Sequence, residues 1–399
     1  MARIESPDLS SPRFKADPYP FYARLRAEAP VYRTRLSIWL SAWLVTRYDD
    51  VVFVLKEGPF SNDFFRQRMQ HWIPRRLHAL SRHLLGADAP DHIRLRALVS
   101  KAFTPRSVEL LRGRIQDVCD ELLDTAAKQR RMELVDGFAL RLPLTIIEDM
   151  LGIRPQERGR FEAWSKRVAA GMSGALPDLL RGMPALWQSV AYFRELIARR
   201  RADPQDDMVT ALLQAEEAGD KLSEDEVIGM IGLLLLAGFE TTTGLIASGT
   251  LALLQHPEQR RRFIDEPALA DSAVEELLRY TSPLDLGFFR IARENVTIGS
   301  VTIPKGDVVL AVIGSANRDE SRFPSADTLD IAREPNKHLA FGAGAHFCLG
   351  APLARLEGRT ALTTLFRRFP ELRLAEPAEA VRWRKGLAFR GPERLPVTF

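Results

Sequence analysis

The segment Phe341 to Gly350, FGAGAHFCLG, sets one cysteine behind a run of small residues. Gly342 and Gly344 permit conformations and close approaches that a side chain forbids. The stretch that follows, APLARLEGRTALTTLFRRF, is amphipathic at helical spacing and predicts a helix starting near Leu349. Cys348 then stands at a helix N-terminus, where the dipole and the unpaired N–H groups favour thiolate over thiol. An iron ion needs that form of sulfur. A cysteine nucleophile is the competing chemistry, but His346 is only two residues away, and catalytic partners normally come from separate parts of a chain. The other cysteine, Cys119, reads as a small buried hydrophobe.

Three further groups could do chemistry. In LLLLAGFETTTGLIASG, within a helix predicted over Glu226 to Gly249, Ala237, Gly238, Glu240 and Thr241 interrupt a long apolar run. Glycine and clustered threonines cost helix stability, because hydroxyls compete for backbone carbonyls and can bend or open the ladder. In VEELLRY, Glu276 and Arg279 share one side of a helix within ion-pair reach, an arrangement worth little when exposed. In DAPDHIRLRALVSKAFTPR, His92 and Arg96 lie four apart on one helical face. Each of these is ordinary alone, as a solvated charge or a satisfied histidine.

Together, these motifs resemble the cytochrome P450 family of the soluble bacterial type. FGAGAHFCLG matches that family's FGxGxHxCxG loop at every fixed position, AGFET matches (A/G)Gx(D/E)T, and the His92 segment matches DxPxHxRxRxxVxxxFTPR. DPYPFYARLR and ANRD (Ala316 to Asp319) occur in the family's order, so the likeness runs from Asp17 to the C-terminus. The resemblance implies a mainly α fold with a small β region, the helical triangular prism, as a single domain over residues 1–399. It implies haem b (iron protoporphyrin IX) ligated by Cys348 and bordered by Ala237, Phe341, Gly342 and Gly350. His92, Arg96, Arg290 and His346 would hold the propionates, which need cationic or hydrogen-bonding donors. Thr241 would hydrogen-bond dioxygen beside the iron and Glu240 would relay protons. Glu276 and Arg279, completed by Arg333 of LDIAR, would form a buried set that fixes the ligand loop.

The reaction so implied inserts one oxygen atom from O2 into a lipophilic small molecule, as a hydroxylation or an epoxidation. Peroxide-driven peroxygenation, or a non-catalytic haem sensor or carrier, are the alternatives; retention of Glu240 and Thr241 speaks against both. By the same resemblance the substrate walls come from Phe64, Phe65, Met69 and Trp72, from Leu233 and Leu234, from Leu284 and Leu286, and from Leu387. The first four are interleaved with arginines, which suits an amphipathic or extended lipophilic substrate. Electrons would arrive from a separate ferredoxin or flavodoxin with its reductase, since two cysteines cannot hold an iron–sulfur cluster. Arg355 and Arg359 would lie on the docking face.

Composition is consistent with such a chain. Hydrophobic residues make 46% and charged residues 27%, so extended disorder is not expected. The net charge of +4 comes from scattered arginines, which gives nucleic-acid binding little support. MARIESPDLSSPRF has no apolar run of the export type, and Ile228 to Phe239 alone is too short to cross a bilayer. A cytoplasmic monomer without membrane anchor is expected. Trp43 to Glu57 predicts a strand running into a helix, Asp91 to Glu276 predicts helix almost throughout, and Val296 to Ile313 predicts a small antiparallel sheet.

Overall fold

The computed structural model describes residues 4–37, 40–56, 58–71, 74–171, 176–217 and 219–399. The residues singled out above fall mostly on four helices: α1 (Asp91–Ala102), α2 (Glu224–Gln255), α3 (Ala270–Thr281) and α4 (Ala351–Arg368). The chain forms two compact units, one of Met1–Ser61, Ile115–Leu142 and Thr241–Phe399, the other of Asn62–Arg114 and Pro143–Glu240. The chain passes from the second unit to the first inside α2, between Glu240 and Thr241.

The first unit holds a five-stranded sheet of β1 (Val31–Arg35), β2 (Ser41–Val45), β3 (Phe60–Ser61), β4 (Arg290–Ala292) and β5 (Val308–Ala311), in the order β1-β2-β5-β4-β3. The strand-to-helix reading of Trp43 onward matches β2 followed by the helix Tyr48–Leu55; Glu57 lies outside the described residues. The expected sheet over Val296 to Ile313 divides in two. Val296–Ile298 and Val301–Ile303 make an antiparallel hairpin, whereas β5 leaves it to pair in parallel with β2 and antiparallel with β4. All of β5 is buried, and such continuous burial suits an interior strand better than an alternating surface one. Val45, Val51, Val54, Phe60, Val309 and Ile313 close the core against this sheet. On α3 and α4, Ala273, Val274, Leu277, Leu362, Leu365 and Phe366 are buried at helical spacing. Each buried leucine contributes about 2 kcal/mol, which outweighs the middling helix propensity of the threonines on α4.

In the second unit the helices Pro155–Gly171 and Leu176–Ala202 pack together, with Trp164 Nε1 donating to Gln188 Oε1 at 2.7 Å. Arg94 on α1 pairs with Glu226 in the first turn of α2, where an acidic side chain also suits the helix dipole. The described residues between 62 and 86 are irregular, with a π turn at Phe65–Met69 and 3-10 turns at Arg75–Ser81 and Leu84–Gly86. The apolar run beginning at Ile228 belongs to a longer element than the sequence suggested. α2 has 32 residues and, by length and composition, could cross a membrane. About two thirds of its most apolar window is buried inside the protein, as for a core helix.

Candidate active site

Cys348 sits on a loop held by its own backbone. Gly342 and Gly344 adopt φ of +73° and +74°, the left-handed region where a side chain is strained. A Cβ on Gly344 would also stand 2.8 Å from Lys56 Cα and 3.2 Å from the Leu55 carbonyl, both immovable backbone atoms. The Cys348 N–H donates to the Phe341 carbonyl at 2.9 Å, closing the loop on its first residue. α4 begins at Ala351, two residues later than expected, with Gly350 as a cap lacking a side-chain donor or acceptor. The N–H groups of its first turn are therefore not capped by the residue at 350. A Cβ on Gly350 would make only an ordinary contact with Cys348 Sγ, at 3.9 Å. Cys348 is exposed, while Cys119 is buried and its thiol is pushed up to about 12, mainly by burial. The two cysteines thus differ as the sequence suggested.

Residues just ahead of this loop join a buried network of charge and hydrogen bonds. Glu276 and Arg279 on α3 are fully buried, and the carboxylate accepts from Arg279 Nε and Nη2 at 2.8 Å each. Glu276 also accepts from the Asp330 N–H at 3.0 Å, Arg333 Nε at 3.1 Å and Asn336 Nδ2 at 3.0 Å. Arg279 places its remaining N–H groups on the carbonyls of Asn317, Ala326 and Thr328. Every donor of that guanidinium is used, which offsets the cost of burying the charge. The Glu276, Arg279 and Arg333 named from sequence are therefore together, and Asn317 and Asn336 are members that sequence reasoning missed. The ANRD string was the only signal for Asn317; its side chain also accepts from the Leu339 N–H at 2.7 Å, just ahead of the cysteine loop.

A second layer of charge borders the loop. Arg355 donates to Glu275 at 2.7 and 2.8 Å, and its guanidinium lies 4.4 Å from the Phe341 ring centroid. Burial alone would raise the Glu275 carboxyl, but hydrogen bonds from Arg355 and His338 outweigh it and hold the group at about 2. Arg355 itself is raised, first by its hydrogen bond to Glu275 and to a smaller extent by the nearby Cys348 sulfur. Arg359 pairs with Asp271 at 2.8 Å. Arg290 is buried on β4 and donates to the Leu55 carbonyl at 3.2 Å, while His346 is half-buried in the 3-10 turn Gly344–His346.

On α2, the half-buried residues include Leu233, Leu234, Ala237, Gly238 and Thr241, at spacings of one and four that trace a single stripe. Phe239 and Glu240 are buried. A Cβ on Gly238 would collide with Ile147 Cδ1, so close packing accounts for this glycine, and α2 runs uninterrupted through the threonines. The neighbouring Thr242 faces Glu357 of α4, whose fully buried carboxyl is pushed up to about 8 by burial, partly offset by the Thr242 hydrogen bond. In the second unit, His92 is buried on α1 and Arg96 half-buried four residues on. Phe64, Phe65 and Met69 are half-buried, whereas Arg66 and Arg68 of the same turn are exposed. Trp72 lies outside the described residues. Leu286 is buried, and Leu284 and Leu387 are half-buried.

The residues fit a thiolate-ligated haem: an exposed sulfur on a loop with two left-handed glycines, and a buried network that holds the residues leading into that loop. Comparison with known proteins agrees. The family model described as Cytochrome P450 matches residues 13–377. "Cytochrome P450 107B1" of Saccharopolyspora erythraea is 44% identical, with 100% of this chain and 99% of that protein covered. "Mycinamicin IV hydroxylase/epoxidase" of Micromonospora griseorubida is 44% identical over 95% of this chain and 94% of that protein. Among solved structures, myxobacterial cytochrome P450 CYP267B1 in complex with myristic acid superposes with a TM-score of 0.93 at 42% identity, covering 99% of each chain. With its mainly α fold and haem b as cofactor, the chain belongs to the cytochrome P450 family and is a haem-thiolate monooxygenase.

Proposed function

We propose that Cys348 is the iron ligand and that the chain oxidises an amphipathic or extended lipophilic molecule, a fatty acyl chain or a macrolide-sized ring. The observation that carries this reading is the pairing of an exposed cysteine with the left-handed Gly342 and Gly344. When bound, haem b supplies reductive activation of O2, with one oxygen atom going to substrate and the other to water. Cys348 holds the sulfur as thiolate, favoured by the helix start, while Glu276, Arg279 and Arg333 keep its loop from shifting. His92, Arg96, Arg290 and His346 supply the donors that the two propionates require. Thr241 offers a hydroxyl on the half-buried stripe of α2 and Glu240 a carboxyl beside it, a pair suited to taking a proton from water and delivering it at the Thr241 Oγ1.

Leu233, Leu234, Leu284, Leu286 and Leu387 supply apolar walls, and Phe64, Phe65 and Met69 an apolar turn edged by exposed arginines. The exposed arginines of that turn favour a substrate with one polar end. The relatives that act on mycinamicin IV or are solved with myristic acid span this range. A separate ferredoxin or flavodoxin with its reductase is taken to supply electrons to a monomeric, single-domain, cytoplasmic enzyme. Because Arg355 and Arg359 already pair with Glu275 and Asp271, they offer such a partner less net charge than their sequence implied. The test is Cys348→Ser: the parent's reduced carbonyl form should absorb at the thiolate-specific wavelength and the variant's should not. A variant that keeps the band would place the ligand elsewhere.

A further inference from the structure

The N-terminal segment ends in a buried cation. Lys15 is 0% exposed; its Nζ donates to Asp285 Oδ2 at 2.7 Å and to the Leu387 carbonyl at 2.7 Å. Tyr22 Oη donates to the same Asp285 oxygen at 2.9 Å. Asp285 is also 0% exposed, and a Cβ on Gly314 would collide with its Oδ1, so the carboxylate is enclosed on that side as well. The two segments that Lys15 touches are laced together along their backbones. The Asp285 N–H donates to the Ala388 carbonyl at 2.8 Å, the Arg390 N–H to the Pro283 carbonyl at 2.9 Å, and Leu284 bridges Phe389. Arg390 returns to the N-terminal segment, donating to the carbonyls of Lys15 at 2.8 Å and Ala16 at 3.1 Å. The Gly386 N–H reaches the Ser10 carbonyl at 3.0 Å.

Residues 284–286 are extended, and in an extended chain successive side chains point to opposite faces. Asp285 turned toward Lys15 therefore leaves Leu284 and Leu286 facing the other way. Leu387 gives its carbonyl to the same ammonium. One buried charge thus grips, from behind, both segments that carry proposed pocket leucines. Burying an ion pair costs desolvation, and apolar residues of similar volume would often do as well for stability alone. What apolar packing cannot supply is direction: two short hydrogen bonds from one Nζ set how far apart their acceptors lie.

We infer that Lys15 and Asp285 are positioning residues of the substrate site, a clamp that fixes the spacing of the Leu284–Leu286 and Leu387 walls and makes the N-terminal segment a determinant of which apolar ligands fit. This rests on the proposed placement of those leucines around the substrate. The test uses the full-length, haem-loaded protein and two probes, imidazole, which needs only the iron, and 4-phenylimidazole, which also needs the apolar walls. In Lys15→Met/Asp285→Asn, which removes the clamp without stranding a charge, 4-phenylimidazole should bind at least tenfold more weakly and imidazole within twofold of the parent.

Equal affinities for both probes would overturn the inference, and so would equal weakening of both. If the double variant takes up no haem, Tyr22→Phe serves instead: it loosens Asp285 while keeping both charges. It should weaken 4-phenylimidazole about threefold and leave imidazole unchanged; no change overturns the inference. A parent without the thiolate-type carbonyl spectrum would instead defeat the proposed function, a failure visible before any variant is made.

Discussion

Two regions of the molecule treat charge in opposite ways. Around Glu276 the protein buries that carboxylate and Arg279 completely and places every Arg279 donor on a fixed acceptor, at 2.8 to 3.1 Å. Around Phe64 to Ser81, among the described residues, it turns arginines outward and leaves Phe64 and Phe65 half-buried in short irregular turns. The first arrangement tolerates almost no substitution, because removing one partner strands a charge. The second tolerates many, since exposed charges contribute little and irregular turns accept changes in length. On the proposed function, the reaction class would rest on the rigid region and ligand choice on the tolerant one.

Breaking the rigid region should cost most. Glu276→Ala leaves two arginines without their shared carboxylate and should lower stability by about 3–5 kcal/mol, with loss of haem uptake, read from urea midpoints and the Soret band. A variant that unfolded like the parent would erase the contrast.

Two glutamates beside that region, Glu357 buried and Glu275 half-buried, sharpen the comparison through pH. Glu357 has a folded value of about 8, above its ordinary 4.5, so the folded state binds its proton more tightly and loses relative stability as pH rises from about 4.5 to about 8. Glu357→Gln should abolish that loss, a gain on the order of a few kcal/mol at pH 8 in urea titrations. Glu275 is the reverse case. With a folded value of about 2, it stabilises above its ordinary 4.5, and that stability is lost as pH falls toward 2. Glu275→Gln should flatten the acid limb and leave the alkaline limb unchanged.

A smaller effect is expected at Gly344. A methyl group there meets Lys56 backbone at a left-handed φ, so Gly344→Ala should cost about 2 kcal/mol and broaden the carbonyl spectrum as the loop loses its single conformation. The smallest belongs to the tolerant region. Arg66, 73% exposed and paired with its near neighbour Asp63, should change stability by less than about 0.5 kcal/mol when replaced by alanine, while shifting affinity for a fatty-acid probe. A large stability loss there would mean that the two regions are not built differently.

Features set by neighbouring residues were legible in the chain. The glycine spacing anticipated the left-handed loop at Cys348, helical periodicity anticipated α3 and α4, and the usual behaviour of a lone cysteine as a small hydrophobe anticipated the burial of Cys119. The pairing of Glu276 with Arg279 followed from a three-residue interval, although its burial came only through family likeness. What local pattern could not reveal was partnership at distance. Asn336 meets Glu276 from 60 positions away, Lys15 meets Asp285 from 270, and β5 joins β2 across most of the chain. Alternation of polar and apolar residues marks a strand without naming its neighbour. The helix expected over Glu226 to Gly249 proved longer, beginning at Glu224 and running on to Gln255, since local pattern marks helix ends poorly.

The carboxylate of Glu276 also bears on the order in which the protein is assembled. Its acceptors are filled from residues 279, 330, 333 and 336, so three of the contributing positions emerge from the ribosome well after α3 has been made. Until they arrive the anion has to stay hydrated, and α3 cannot bury itself against the rest of the molecule. Completion of the cysteine loop follows directly, since residue 336 precedes Phe341 by only a few positions. Loop closure of this range is slow relative to helix formation, which makes docking of this one side chain a natural checkpoint separating an immature chain from one able to accept its cofactor.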